Sequence, residues 1–118
     1  MERFKVERTV VTHLAAALGV RVVLTVPADK PDRLVTVERV GGSNDGVAVD
    51  RPRIAVQSWA QTWSAALGLA HEVDAAMSAL AGTSGVALVE LEQMYAHPDE
   101  NKKPRYQCVY ALVAHLYV

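Results

Sequence analysis

Apolar residues recur at spacings of three and four from Glu2 to Leu18, through Val6, Val10, Val11, Leu14, Ala15 and Leu18. That is one stripe of an amphipathic helix, and Gly19 stands where a helix stop is expected. The next segment, Val20 to Val26, is β-branched and apolar and predicts a strand ending at Pro27. Pro27, Asp29, Pro31 and Asp32 form a turn-rich connection, after which Arg33 to Val40 alternates Val35 and Val37 with Thr36 and Glu38 as a second strand. Gly41-Gly42-Ser43-Asn44-Asp45-Gly46 has the composition of a loop. Arg53 to Ala60 alternates again, with Ile54, Val56 and Ser58 on one side and Arg53, Ala55, Gln57 and Trp59 on the other.

Thr62 or Ser64 is placed to cap a second helix, whose inward stripe is Ala66, Leu69, Ala70, Val73, Ala76, Met77 and Leu80, with Gly82 at its end. Val86 to Ala96 and Arg105 to Val118 complete the chain as two strands around a polar turn, His97 to Pro104. The predicted order is helix, three strands, helix, two strands. This describes one α+β domain over residues 1–118, with two helices packed on a mainly antiparallel or mixed sheet. The last strand departs from simple alternation. Tyr106, Cys108, Tyr110, Leu112 and Leu116 share one face, yet Val109, Ala111, Val113 and Tyr117 make the other face apolar too. A half-exposed sheet alternates with polar residues, so the second face calls for a cover, either the first helix or a neighbouring subunit.

With 118 residues, 51% hydrophobic and 21% charged, the chain is long enough for a real core. Its net charge of −1 provides no drive toward nucleic acid or an anionic membrane. No run has the length of a membrane-spanning helix, and the stretch Met1 to Lys5 lacks an apolar signal core. The single cysteine, Cys108, excludes an internal disulfide and a multi-cysteine zinc site.

Candidate chemistry is thin. His71, Glu72 and Asp74 are close on the second helix, but no further ligand type lies nearby, and a solvated helix face accounts for them. His97-Pro98-Asp99-Glu100 has the makeup of a hairpin turn. Cys108 with His115 or His97 would form a nucleophile and base, but a mid-strand cysteine in an apolar stripe reads as a small buried hydrophobe. Gly41-Gly42 is followed by neither a helix start nor a P-loop lysine. Trp59 and Trp63 flank the strand-to-helix junction, as interface anchors or as packing beneath the helix start. These residues lead to no catalytic, metal or cofactor site.

Taken together, Leu34-Val-Thr-Val-Glu-Arg-Val-Gly-Gly42, then Asp50-Arg-Pro-Arg-Ile-Ala-Val-Gln-Ser-Trp-Ala60, the alanine-rich helix with Leu69-Ala70, and Asp99 with Pro104-Arg-Tyr-Gln107 resemble the tail terminator (tail-completion) proteins of long-tailed phages and prophages. The resemblance follows the order of elements over nearly the whole chain. The Asp-Arg-Pro-Arg opening is most similar to forms from phages of actinobacteria. It implies a structural virion protein without enzymatic activity or cofactor, made in the host cytoplasm and placed at the head–tail junction. The implied assembly is a homo-oligomeric ring, usually a hexamer, that caps the tail tube, ends its polymerisation and joins a head-completion or connector protein. DNA passes through the lumen of such a ring without specific binding, and no membrane is involved. The residues expected at subunit or tube contacts are Gly41, Gly42, Ser43, Asn44, Asp45 and Gly46 with Arg51 and Arg53, and, in the second turn, His97, Asp99, Glu100, Lys102 and Lys103. Other readings are a different head–tail connector or neck protein, and a small enzyme or ligand-binding domain. The latter requires a pocket with convergent polar groups.

Overall fold

The structure is a computed structural model describing residues 1–118. Helix α1 (Val6–Leu18) is followed by strands β1 (Arg21–Val23), β2 (Leu34–Asn44) and β3 (Val49–Trp59), helix α2 (Trp63–Leu80), and strands β4 (Val86–Ala96) and β5 (Arg105–His115). The strands form one mixed sheet in the order β1-β2-β3-β5-β4, with β1 parallel to β2 and every other pair antiparallel. This is the expected α+β fold with the expected element order. An 11-residue strand spans about 36 Å, so the long axis of the 43 × 26 × 25 Å molecule runs along the strands.

Both helices lie on one face. Val6, Val10 and Leu14 of α1 and six of the seven expected stripe residues of α2 pack with Val35, Val37, Ile54, Val56, Cys108, Tyr110 and Leu112 from that side of the sheet, and the seventh, Ala66, is buried as well. Fully burying each large side chain here contributes about 1.5–3 kcal/mol. Helix α1 ends at Gly19, which is left-handed at φ 65° and donates its N–H to the Ala15 carbonyl. Helix α2 begins under Thr62, whose hydroxyl accepts the Ala65 N–H at 3.1 Å. The His13 ring contacts the Ala76 carbonyl at 2.6 Å and ties the two helices together.

Several boundaries differ from expectation. Helix α1 starts at Val6 because the backbone before it is used elsewhere: Phe4 donates to the Leu116 carbonyl, and Glu2 accepts from Val118. The same pairing takes Leu116 to Val118 out of β5, which stops at His115. Ala15 points to solvent rather than into the stripe. The apolar run Val20–Val26 yields only a three-residue strand, parallel to β2, and Leu24 and Val26 stay exposed.

The largest correction concerns Gly41 to Asn44. These residues are not loop but the end of β2, paired as Gly41↔Arg53, Gly42↔Pro52, Ser43↔Arg51 and Asn44↔Asp50. The reason lies across the ladder. Pro52 has no N–H to donate and is tolerated within a sheet where pairing is irregular, and the register shifts by a bulge between Arg39 and Gly41 just before it. Gly42, at φ 109°, has room only for hydrogen, because a Cβ would overlap the Arg51 carbonyl oxygen. Gly42, and not Gly41, is the position that this close backbone approach requires.

Candidate subunit interface

Two regions expected to make contacts lie at opposite ends of the sheet. The β2–β3 hairpin turns over Asp45 to Ala48. There the Asp45 carboxylate accepts the N–H groups of Val47, Ala48 and Val49 at 2.8–3.0 Å, and the Asn44 side chain accepts from Gly46. Three backbone donors hold the Asp45 pKa down to about 2. Behind the turn, Arg39 grips Asp50 with two bonds of 2.7 and 2.9 Å, and its Nε donates to the Gly41 carbonyl across the bulge. Asp50 is buried, and this bidentate pair satisfies its charge. The hydrogen bonds that Arg39 donates to Asp50, reinforced by the carboxylate's charge, raise the Arg39 pKa. The hairpin is thus braced from within, while Val47 at its tip is 73% exposed.

The second turn, between β4 and β5, is organised by Asp99. One carboxylate oxygen accepts the N–H groups of Asn101 and Lys103 at 2.8 Å, and the other lies 3.5 Å from the Lys30 ammonium. These bonds lower the Asp99 pKa. Asp99 therefore builds the turn. His97 is fixed through its backbone to Arg105 and its ring lies edge-on to Tyr95, whereas Glu100, Lys102 and Lys103 project outward. Lys30 and Arg105 both stack on the Trp59 ring, at 4.1 and 4.7 Å from its centroid.

Between the two ends lies the face of the sheet opposite the helices. Helix α1 does not cover it; it packs on α2, β1 and β2 from the other side. Val109, Ala111 and Val113 of β5 are half-buried there, between Arg51 and Arg53 of β3 and Leu88, Glu90 and Glu92 of β4. Arg53 reaches over β5 to Glu92 at 2.9 Å. One rung of this face is a directional chain of side-chain hydrogen bonds. Thr36 donates to Gln57 at 3.0 Å, Gln57 donates to Gln107 at 2.7 Å, and Gln107 donates to the Tyr95 hydroxyl. These four residues are direct partners across β2, β3, β5 and β4. The chain satisfies amides that would otherwise require water, so the strip can be covered at little desolvation cost.

The remaining candidates resolve simply. Asp74 is not on a solvated face, since its carboxylate accepts the Tyr110 hydroxyl at 3.0 Å, while Glu72 pairs with Arg33 at 3.2 Å. Burial pushes the Cys108 thiol up to about 11, so at neutral pH it is a thiol. Trp59 is buried on the open face, and Trp63 packs edge-on to Tyr106 at 5.8 Å. No three His, Cys, Asp or Glu side chains gather as a metal site, and no helix is long and apolar enough to cross a membrane.

The polar ladder and the acidic column of β4 were not singled out by sequence reasoning. Gln57 and Gln107 do occupy the outward positions of alternating strands, which is the signal that points to them, but their register is set only by the fold. Comparison with known protein families and with curated proteins finds no match to this chain.

Proposed function

We propose that this protein is a phage tail terminator: a structural subunit that closes into a ring, six-membered as the family resemblance implies, on the end of a tail tube, stops tube growth and receives the head-side connector. The observation that carries this reading is a sheet with two unlike open edges on opposite sides. Strand β1 pairs only with Leu34–Thr36, leaving the outer edge of β2 from Val37 to Asn44 without a strand partner. Strand β4 is unpaired along its outer edge from Val86 to Ala96. Successive antiparallel pairings make β4 run opposite to β2, so a second copy's β4 meets this β2 edge in antiparallel sense. Contacts between unlike surfaces are heterologous and generate a ring when the rotation closes. Bulges on both edges restrict which strand each accepts.

In this reading the braced hairpin at Asp45–Ala48 and the Asp99 turn face the two rims of the ring, where tube and connector dock. A net charge of −1 is compatible with DNA sliding through the lumen without being held. The test is growth of tubes from the companion tail tube protein with and without this chain. Tubes that stop growing and carry the protein at one end support the reading. Tubes of unchanged length without bound protein refute it.

A further inference from the structure

We propose that the free chain pairs with a second copy of itself through the open face of the sheet, about a two-fold axis parallel to β5. The face is divided into three columns of different character. Strand β3 presents Arg51 and Arg53, β5 presents Val109, Ala111 and Val113, and β4 presents Glu90 and Glu92 beside Leu88. Arg53, Ala111 and Glu90 are partners in one rung, so the basic and acidic columns flank the apolar one at the same height; Arg53 also bridges over β5 to Glu92 of its own chain, while Arg51 and Glu90 have no ion-pair partner within it.

A two-fold axis along β5 lays each copy's arginine column over the other's glutamate column and the apolar columns over each other. An axis across the strands would set arginine over arginine, which like charge disfavours. The contact is isologous, as a self-complementary patch requires. Leu88 is 62% exposed and lies in the rung next to Glu90. Leu88 itself, with Gly42, Ser43 and Arg51, lines a hollow of ≈ 380 Å³ on this face, and in the pair the hollows of the two copies meet. The Thr36–Gln57–Gln107–Tyr95 chain gives each glutamine amide of that rung one accepted and one donated bond, which lowers the cost of covering the face. The pairing uses the sheet face and not its edges, so it needs neither a ring nor a tube.

The test is sedimentation velocity of the full chain over a concentration series, with Arg53→Glu, Glu90→Arg, their equimolar mixture, and Leu88→Ser. The wild type is expected as a monomer–dimer equilibrium that weakens with salt. Each charge reversal weakens association about tenfold or more. The mixture returns to within about threefold of wild type, because each reversed charge then meets its opposite. Leu88→Ser, at an exposed position that leaves the melting curve unchanged, also weakens the pair. A wild type that is only monomer, or a hexamer without dimer, overturns the proposal. So does a mixture no tighter than the single variants, or a Leu88→Ser chain that associates like wild type. None of these outcomes bears on tube capping, which the growth assay reads separately.

Discussion

Gly42 lies directly opposite Pro52 in the β2–β3 ladder, and a Cβ built on it would stand 2.8 Å from the Pro52 Cα. Gly42→Ala therefore meets both a backbone clash and a left-handed φ, and is expected to cost about 2 kcal/mol or more. Gly41 has nothing within 4 Å of its Cβ position, so Gly41→Ala should fall within about 0.5 kcal/mol of wild type. Thermal melts of the two variants check this. Equal losses would show that the glycines serve only as a flexible pair.

The Arg39–Asp50 pair is unequally buried, with side-chain exposures of 28% and 3%. Removing Arg39 strands a carboxylate in the interior, whereas removing Asp50 leaves a guanidinium that reaches water. Arg39→Met is expected to cost about 3 kcal/mol, and Asp50→Asn about 1–2 kcal/mol. Urea denaturation of both variants gives the order. A larger loss for Asp50→Asn contradicts the asymmetry.

Asp45 ties its pKa to the hairpin turn. Its folded value of about 2 lies below the ordinary 3.8. The carboxylate's contribution is thus fully present above about pH 4 and is lost as pH falls through the folded value. Carboxyl NMR should place its midpoint near 2, and Asp45→Asn should speed amide exchange at Val47, Ala48 and Val49 without lowering the global melt much. A midpoint near 4 would mean that the turn does not hold its carboxylate in solution.

Cys108 is buried on the helix side of β5, and desolvation raises its pKa to about 11. At pH 8 only about one thiol in a thousand is ionised. A disulfide reagent should label it quickly only after unfolding. Rapid stoichiometric labelling of the folded chain would show that the thiol is accessible and reactive.

The helices and the inner face of the sheet were legible because burial on one side imposes a period: all seven stripe positions of α2 are buried, and β4 has the bounds that its composition predicts. Gly41 to Asn44 misled because local composition favours a turn, while the need to accommodate Pro52 is a property of another strand. The two-sided apolarity of β5 called for a cover from α1 or a neighbouring subunit, and α1 does not supply it. The arginine and glutamate columns beside it depend on strand order and on two bulges in β4, and neither has a local signature. In the second turn, the composition of His97 to Pro104 pointed to a turn, and the oxygens of Asp99 close it.

Electron microscopy of tail tubes incubated with this chain decides whether the protein forms a ring at a tube end. A closed ring of copies at one end of each tube, with subunits joined edge to edge, is the expected image. Tubes with bare ends beside a chain that remains dispersed in solution would contradict it.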